Sequence, residues 1–169
     1  MNLLRTPSLK KDSEYDMQEA VVARLSKQSF VIKANKNYWE EVWGKAKVYR
    51  EVRIPNIGRV SDVIVHVNDR KIFNIECKLT DVPGVIKQAK DHLLWADYSV
   101  ICLHVGAWVA ADTMRSLMDH GIGLMYWSSE NGLIEVLEAR HNTYKHGRKQ
   151  KRFREPVLKK LKQKKGAQS

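Results

Sequence analysis

Three side chains near the middle of the chain have the chemistry of a metal-dependent hydrolytic site. Asp62 lies in the segment RVSDVIVHV, and Glu76 and Lys78 lie at the end of KIFNIECKL, with thirteen residues between the two acids. Side chains alternate between the faces of a β-strand, so Glu76 and Lys78 share one face and Cys77 points to the other. If the intervening turn consists of residues 68–70, Asp62 lies directly opposite Glu76. A two-residue turn would shift the register and separate them.

Two neighbouring carboxylates among apolar strand residues are electrostatically costly unless a cation lies between them. Hard oxygen ligands suit Mg²⁺ or Mn²⁺, which keep several waters and bind phosphate groups. Such a metal polarises a phosphoryl oxygen and lowers the pKa of its bound water, while a nearby lysine orients that water or stabilises charge developing on phosphorus. The pattern therefore favours metal-assisted hydrolysis of phosphodiester bonds. The alternative is an exposed Glu76–Lys78 ion pair beside a solvated Asp62, although Asp62 adjoins a run of Val and Ile.

The elements that must position these residues predict an α/β domain with a mixed central sheet. Apolar spacing, turn residues and helix caps mark them, and residues 29–45 are ambiguous. The expected elements are a helix over residues 13–28, strands over 47–54, 59–67 and 71–79, a helix from Thr80 or Asp81 to about Ala96, a strand buried on both faces over 97–105, a helix over 111–120 closed by Gly121, and strands over 121–127 and 132–139.

The hairpin GRVSDVIVHVNDRKIFNIECK resembles the core of the PD-(D/E)XK nuclease superfamily, with Asp62 and the run Glu76-Cys77-Lys78 matching its motif. The resemblance extends from the first helix to about Ala139. It implies a restriction-endonuclease-like fold, a mixed central β-sheet flanked by helices, here followed by a basic C-terminal tail. It also implies that Asp62, Glu76 and the backbone carbonyl of Cys77 hold Mg²⁺ or Mn²⁺, and that Lys78 assists the attacking water.

The same resemblance implies two supporting catalytic residues. The superfamily has a helix before the hairpin that often donates a further acid, which Glu19, or alternatively Glu14, supplies here. It commonly has a glutamine about ten residues after the lysine, followed four residues later by a tyrosine. Gln88 matches the glutamine, and His92 stands in the place of the tyrosine.

Other polar side chains are weaker candidates. A first hairpin centred between residues 56 and 57 puts Glu51 opposite Asp62, where it would add a metal ligand; an edge-strand acid with a basic neighbour is the alternative. His92 is interpreted as a surface histidine in preference to a cleft residue, and His104 as a core histidine. The cysteines have no Cys or His set at zinc spacing, so both are expected to be small apolar strand residues.

The positive charge of the chain is concentrated at its C-terminal end. The net charge is +11, from 30 Lys and Arg against 19 Asp and Glu, and residues 140–169 hold twelve of the basic residues and one acid. Residues 1–139 are therefore predicted to be a formally neutral nuclease-like domain, and residues 140–169 a basic arm. The arm is expected to contact phosphates without reading sequence, and to be separable from the chemistry by truncation. The nucleic-acid-binding candidates are Lys145, Arg148, Lys149, Lys151, Arg152 and Arg154.

The arm also has alternatives to phosphate contact. Val157, Leu158 and Leu161 form an apolar stripe, if the segment is helical, that docks on the domain or on a partner. A disordered solubilising arm is the other interpretation.

Composition bounds the remaining possibilities. The chain has 169 residues, 43% of them hydrophobic, which suits one domain with its own core. No apolar run approaches the roughly 18 residues of a membrane helix, and none of signal-peptide length begins the chain. Two cysteines exclude a disulfide scaffold and a four-thiol zinc site. We therefore expect a cytoplasmic protein with no membrane partner.

Together these features predict a Mg²⁺-dependent endonuclease acting on DNA, structure-specific and serving repair, recombination or a mobile element. The basic arm does not distinguish DNA from RNA. Cleavage of both strands of a duplex would favour a homodimer. The alternative is a non-catalytic nucleic-acid-binding module, or a subunit of a complex, built on a nuclease-like scaffold.

Overall fold

The computed structural model describes residues 12–26, 46–67, 71–142 and 148–164, with backbone alone for 148–150. Residues 27–45, which include the end of the first predicted helix and the ambiguous segment, and residues 68–70, where a turn is expected, lie outside the described residues. The helices and strands are α1 (Glu14–Ser26), β1 (Ala46–Arg53), β2 (Val60–Val67), β3 (Lys71–Lys78), α2 (Val82–His92), β4 (Tyr98–His104), α3 (Ala111–His120), β5 (Gly123–Ser128), β6 (Gly132–Leu137) and α4 (Arg148–Gln163). The predicted order of elements is confirmed, and α4 is added to it.

The strands form one six-stranded mixed sheet in the order of the chain. The first three strands are antiparallel neighbours, β3, β4 and β5 are parallel, and β6 returns antiparallel to β5. Parallel neighbours need a crossover connection, and α2 and α3 provide the two crossovers. The chain is therefore an α/β protein, and β3 lies where the antiparallel meander meets the parallel half of the sheet.

Both faces of the sheet are covered by helices. The apolar residues of α1, including Met17 and Val21, pack on one face against alternate residues of β2, β3 and β4. The opposite face is covered by α2 and α3 over its parallel half and by α4 over β1, β2 and β3. Strand β4 lies in the middle and is buried on both faces, as its unbroken apolar run predicts.

Helix α2 has the predicted start but an earlier end. The Asp81 side chain caps it by accepting a hydrogen bond from the Gly84 amide at 3.0 Å, and Pro83 occupies its first turn. The helix ends at His92, short of the expected Ala96, because residues 93–95 form a turn. This turn folds the Trp95 side chain back against the His92 ring. Helix α3 ends as predicted, at a left-handed Gly121 with φ of 67°.

Helix α4 is part of the packed structure. Val157 and Leu161 are fully buried in a cluster with Ile64 and Trp95, and the Tyr49 hydroxyl donates to the Leu161 carbonyl at 3.1 Å. The apolar stripe predicted for this segment therefore docks on the domain. The division of the chain at residue 139 stays a prediction, although α4 completes the core beneath β1, β2 and β3.

Candidate active site

The register of the β2–β3 hairpin brings Asp62 and Glu76 together. Val63 pairs with Ile75 and Val67 with Lys71, so the ladder continued by one residue places Asp62 opposite Glu76. The Cys77 amide donates to Oδ2 of Asp62 at 2.8 Å, which ties the two strands at this point. The register is the one expected for a three-residue turn.

Glu76 is the most deeply buried of the candidate acids. Its side chain is 1% exposed, and among the described residues neither carboxylate oxygen has a hydrogen-bond partner. Nε2 of His92 lies 3.2 Å from Oε1 of Glu76, but the two groups are not aligned as a hydrogen bond. An ionised carboxylate buried in this way is costly unless a cation or an aligned donor compensates it.

The pKa of Asp62 is shifted by burial and by the nearby Glu76. Burial, and then the charge of Glu76, raise the pKa of Asp62 to about 6, against the opposing hydrogen bond from Cys77 and the charge of Lys78. A carboxyl group whose pKa is raised by burial and by a neighbouring acid is a common feature of a cation site or of acid–base chemistry.

Lys78 is held beside these acids by α1. Its Nζ lies 2.9 Å from Oε2 of Glu14, whose other oxygen accepts weakly from the Leu79 amide at 3.5 Å. Partial burial alone would lower the pKa of Lys78, but the hydrogen bond and charge of Glu14, with Asp62 and Glu76 nearby, raise it above its usual value. Lys78 is therefore a cation at neutral pH.

Of the two acids on α1, the structure brings Glu14, and not Glu19, to Lys78. Glu19 is half-exposed and forms an ion pair with Arg50, which also donates to Gln18 at 3.2 Å and lies over the Tyr15 ring. Placing Glu19 at the site is thus corrected to Glu14. The side chain of Glu19 leaves α1 toward β1, whereas Glu14 begins the helix at the end of β3.

Gln88 and His92 lie on the face of α2 that covers Glu76. Oε1 of Gln88 is buried and has no hydrogen-bond partner among the described residues. His92 is fully buried, so its interpretation as a surface histidine is wrong. The Trp95 indole donates to Nδ1 of His92 at 2.9 Å. The i, i+4, i+7 spacing of Gln88, His92 and Trp95 predicts that they share one face of a helix. The helix ends at His92, so the contact of Trp95 with the histidine is made from the turn that follows.

These residues fit a hard divalent cation. No group in the described part of the chain donates to the buried oxygens of Glu76, and Asp62 adjoins it. Oxygen ligands are what Mg²⁺ and Mn²⁺ prefer. In the part of the chain that the structure describes, no group of three or more His, Cys, Asp and Glu side chains is poised to hold a metal. Since Mg²⁺ is usually bound through one or two carboxylates and keeps several waters, two acids suffice.

The remaining candidates near this pair of acids are Glu51 and the cysteines. Glu51 is at the predicted register, between the pairs of β1 and β2 that flank Asp62, but its side chain is exposed and its backbone is left-handed, with φ of 46°. Cys77 and Cys102 are free, buried neighbours on β3 and β4, as expected for apolar strand residues. A hydrogen bond with Cys102, and then burial, raise the pKa of the Cys77 thiol, so it is no thiolate ligand.

A cleft of about 470 Å³ opens at the C-terminal ends of β3, β4 and β5. Leu79 and Thr80, which follow Lys78, line one side of it. His104 lines another, with Nε2 2.9 Å from Oδ2 of Asp12, so His104 is a half-buried cleft residue and not a core histidine. Hydrogen bonds from Ser129 and His104 lower the pKa of Asp12. The sequence offers no signal for this pairing between residues so far apart.

The basic candidates fall into two groups. Lys151 and Arg152 are exposed on α4, whereas the Arg154 guanidinium lies 2.8 Å from Oδ2 of Asp97 and donates to the Trp95 carbonyl at 3.1 Å. Arg154 is thus a packing residue and is withdrawn from the phosphate-binding candidates. Lys145 lies outside the described residues, as do the side chains of Arg148 and Lys149. In the described part of the chain, no helix is both long enough and apolar enough to cross a bilayer.

Comparison with known proteins gives only distant similarities. No family model and no curated protein matches the chain. One similar solved structure is a protein of unknown function from Silicibacter pomeroyi, with a TM-score of 0.46 and 16% identity over 71% of this chain and 77% of that one. Another is a repair endonuclease from Pyrococcus abyssi, with a TM-score of 0.39 and 18% identity over 69% of this chain and 47% of that one. Neither likeness is close enough to indicate an activity.

Proposed function

We propose that this protein is a Mg²⁺-dependent endonuclease of the PD-(D/E)XK type, with a restriction-endonuclease-like fold, that hydrolyses phosphodiester bonds in DNA. The observation that carries the proposal is the buried Glu76 carboxylate, with no hydrogen-bond donor among the described residues, directly across a hairpin from Asp62. A lysine held as a cation ends the same strand. This arrangement suits a site that is completed by a divalent cation and a phosphate.

In this proposal Asp62, Glu76 and the Cys77 carbonyl hold the metal. The metal, when bound, supplies a Lewis acid for a phosphoryl oxygen and lowers the pKa of a coordinated water. Lys78 orients the attacking water and stabilises the charge that develops on phosphorus. Glu14 holds the Lys78 ammonium in place and keeps it protonated, and Gln88 presents its buried amide to the substrate.

The exposed cations of α4 supply DNA affinity by pairing with phosphates. The domain of residues 1–139 is formally neutral and carries a pair of acids at its site, so a polyanion gains little from it in the absence of a metal. A structure-specific role in repair, recombination or a mobile element is the biological setting that we propose.

Cleavage assays with matched variants test the proposal. Purified protein is incubated with linear, nicked, branched and single-stranded DNA, and with RNA, in Mg²⁺, in Mn²⁺ or in EDTA. We expect metal-dependent cleavage that falls at least about 100-fold in Asp62→Asn, Glu76→Gln and Lys78→Met, since removing one charge-stabilising group typically costs this much. Glu51→Gln removes an exposed acid from the neighbouring strand and serves as the control.

The α1 acids give a second, finer comparison. Glu14→Gln is expected to slow cleavage about tenfold and to move the alkaline limb of the pH–rate profile to lower pH, because Glu14 raises the pKa of Lys78. Glu19→Gln should leave that limb in place. The proposed nuclease activity is wrong if no substrate is cleaved, or if cleavage persists in the variants of Asp62, Glu76 and Lys78. DNA binding without cleavage would then indicate a non-catalytic nucleic-acid-binding module.

A further inference from the structure

We propose that His92 and Trp95 form a positioning pair, in which the indole fixes the imidazole so that its N–H faces Glu76 and turns that carboxylate toward the divalent cation. The inference rests on the proposed metal site, and it assigns to these two residues a role in building that site. In this proposal His92 acts on Glu76 as a hydrogen-bond donor and is not itself a metal ligand.

The first step is the tautomer of His92. Nδ1 accepts the hydrogen bond of the Trp95 indole at 2.9 Å, so Nδ1 carries no hydrogen. A neutral imidazole has one ring hydrogen, which must then be on Nε2. Nε2 is the atom that lies 3.2 Å from Oε1 of Glu76. The ring nitrogen that lies near the carboxylate is therefore the donor, and a nitrogen that holds its hydrogen has no lone pair for a metal.

The second step is what Glu76 needs. Its two oxygens are buried, and the distance to Nε2 is within hydrogen-bond range while the alignment is not. A small rotation of either side chain completes a bond to Oε1 and leaves Oε2 for a cation. A lysine or arginine at this position would neutralise the carboxylate and compete with the metal, whereas an uncharged N–H orients one oxygen and preserves the charge.

The third step is the rigidity of Trp95. Its ring is fully buried against Val157 and Leu161 of α4, and it meets the His92 ring edge to face, with centroids 5.3 Å apart. Its carbonyl accepts from Arg154, which is ion-paired with Asp97. The indole is therefore fixed on both sides, and so is the N–H group that donates a hydrogen bond to Nδ1.

Binding of Mn²⁺ alone, measured by electron paramagnetic resonance and calorimetry on the full chain, tests this pair. His92→Leu removes the donor, Trp95→Phe removes the hydrogen bond that fixes the tautomer, and His92→Gln keeps an N–H near the position of Nε2. We expect the first two to weaken Mn²⁺ affinity by about 10- to 100-fold, the range typical of residues that orient a metal ligand. His92→Gln should recover most of the affinity. His120→Gln, at the end of α3, is the matched control.

The ring ¹⁵N shifts of His92 in the wild-type protein give a readout that depends on no variant. They should show hydrogen on Nε2, and Trp95→Phe should show a mixture of tautomers. Hydrogen on Nδ1 in the wild type would overturn the proposal, as would wild-type Mn²⁺ affinity in folded His92→Leu. If His92→Gln loses Mn²⁺ as completely as His92→Leu does, the histidine is a ligand and the positioning role is wrong.

The inference and the proposed function fail separately. If Mn²⁺ binding depends on His92 but the protein cleaves no nucleic acid, the proposed nuclease activity is wrong and the positioning role is supported. If cleavage depends on Asp62 and Glu76 but does not change in the His92 and Trp95 variants, the nuclease activity is supported and the positioning role is wrong.

Discussion

At the scale of single residues, the candidate site is a compromise between folding and binding. Asp62 and Glu76 are brought together by the register of a hairpin, and burial adds to their repulsion. A fold selected for stability alone would place apolar residues at these two positions, as it does at Ile64 and Ile72 on the same face. In the proposed function, a bound cation compensates this unfavourable charge.

The raised pKa of Asp62 predicts how the stability of the metal-free protein depends on pH. The folded carboxyl, with its pKa near 6, holds its proton more tightly than the unfolded one near 3.8, so stability falls as pH rises through this window. Above it the ionised group costs up to about 3 kcal/mol, from the size of the shift. In EDTA, Asp62→Asn should therefore be more stable than wild type at pH 8, and equally stable near pH 4.

Urea unfolding at the two pH values measures this difference. Asp112→Asn, which neutralises an exposed carboxylate on α3, is the control and should change the free energy of unfolding little at either pH. Added Mg²⁺ should stabilise the wild type at pH 8 and leave Asp62→Asn unaffected. If Asp62→Asn is less stable than the wild type at pH 8, Asp62 is a structural acid.

At the scale of elements, the sequence predicts most where the cause is local. Alternation along β2 and β3 places Asp62 and Glu76 on one face, and a three-residue turn sets their register. The cap and the first turn of α2 also follow from local residues, Asp81 and Pro83. The i, i+4 spacing of Gln88 and His92 likewise predicts their shared face of α2, and a role for Gln88 in the site stays a prediction.

The rest of the site depends on tertiary packing, which local patterns do not encode. Glu14 and Glu19 are both acids on α1, and only the way this helix lies on the sheet decides which one reaches Lys78. The position of His92 opposite the apolar stripe of α2 indicates a surface residue. It is buried because Trp95, in the turn after α2, packs against its ring. Arg154 belongs to a segment with the composition of a phosphate-binding arm, but its guanidinium is partly buried and ion-paired with Asp97.

The packing of α4 predicts the outcome of truncation. The charge distribution alone suggests that a chain ending near Ala139 keeps the fold and loses affinity. From the structure we instead expect that chain to be strongly destabilised, because fully burying each of Val157 and Leu161 contributes about 1.5–3 kcal/mol. Loss of α4 also exposes the Trp95 indole. We expect a midpoint of thermal unfolding lower by at least about 10 °C, measured by circular dichroism.

A chain ending at Lys164, which keeps the whole of α4, is the control for this truncation and should unfold at the wild-type temperature. Leu161→Ala, expected to cost about 2–5 kcal/mol, tests the same contact with a single substitution. Equal unfolding temperatures for the full chain and the chain ending near Ala139 would show that α4 is a dispensable arm.

At the scale of the whole molecule, the excess positive charge and the candidate site lie in different parts of the chain. The excess of positive charge lies in residues 140–169, and the acids lie at the ends of β2 and β3. Because α4 is also part of the core, truncation cannot separate DNA affinity from the proposed cleavage reaction. Changing the exposed charges of α4 while leaving its buried residues intact can. Lys151 and Arg152 are exposed, whereas Arg154 is not available for this purpose.

The double variant Lys151→Gln/Arg152→Gln is therefore expected to fold as the wild type does and to bind DNA more weakly. Each phosphate contact that is lost should reduce the slope of log affinity against log salt by about 0.9, so the pair should reduce it by up to about 2. Lys87→Gln/Arg115→Gln removes the same charge from exposed positions on α2 and α3 and is the matched control. Fluorescence anisotropy with a short duplex from 50 to 300 mM salt measures the affinity of both double variants.

At saturating DNA the cleavage rate of the α4 variant should equal that of the wild type, since the acids and Lys78 are unchanged. An equal loss of affinity in both double variants would mean that net charge, and not the surface of α4, holds the DNA.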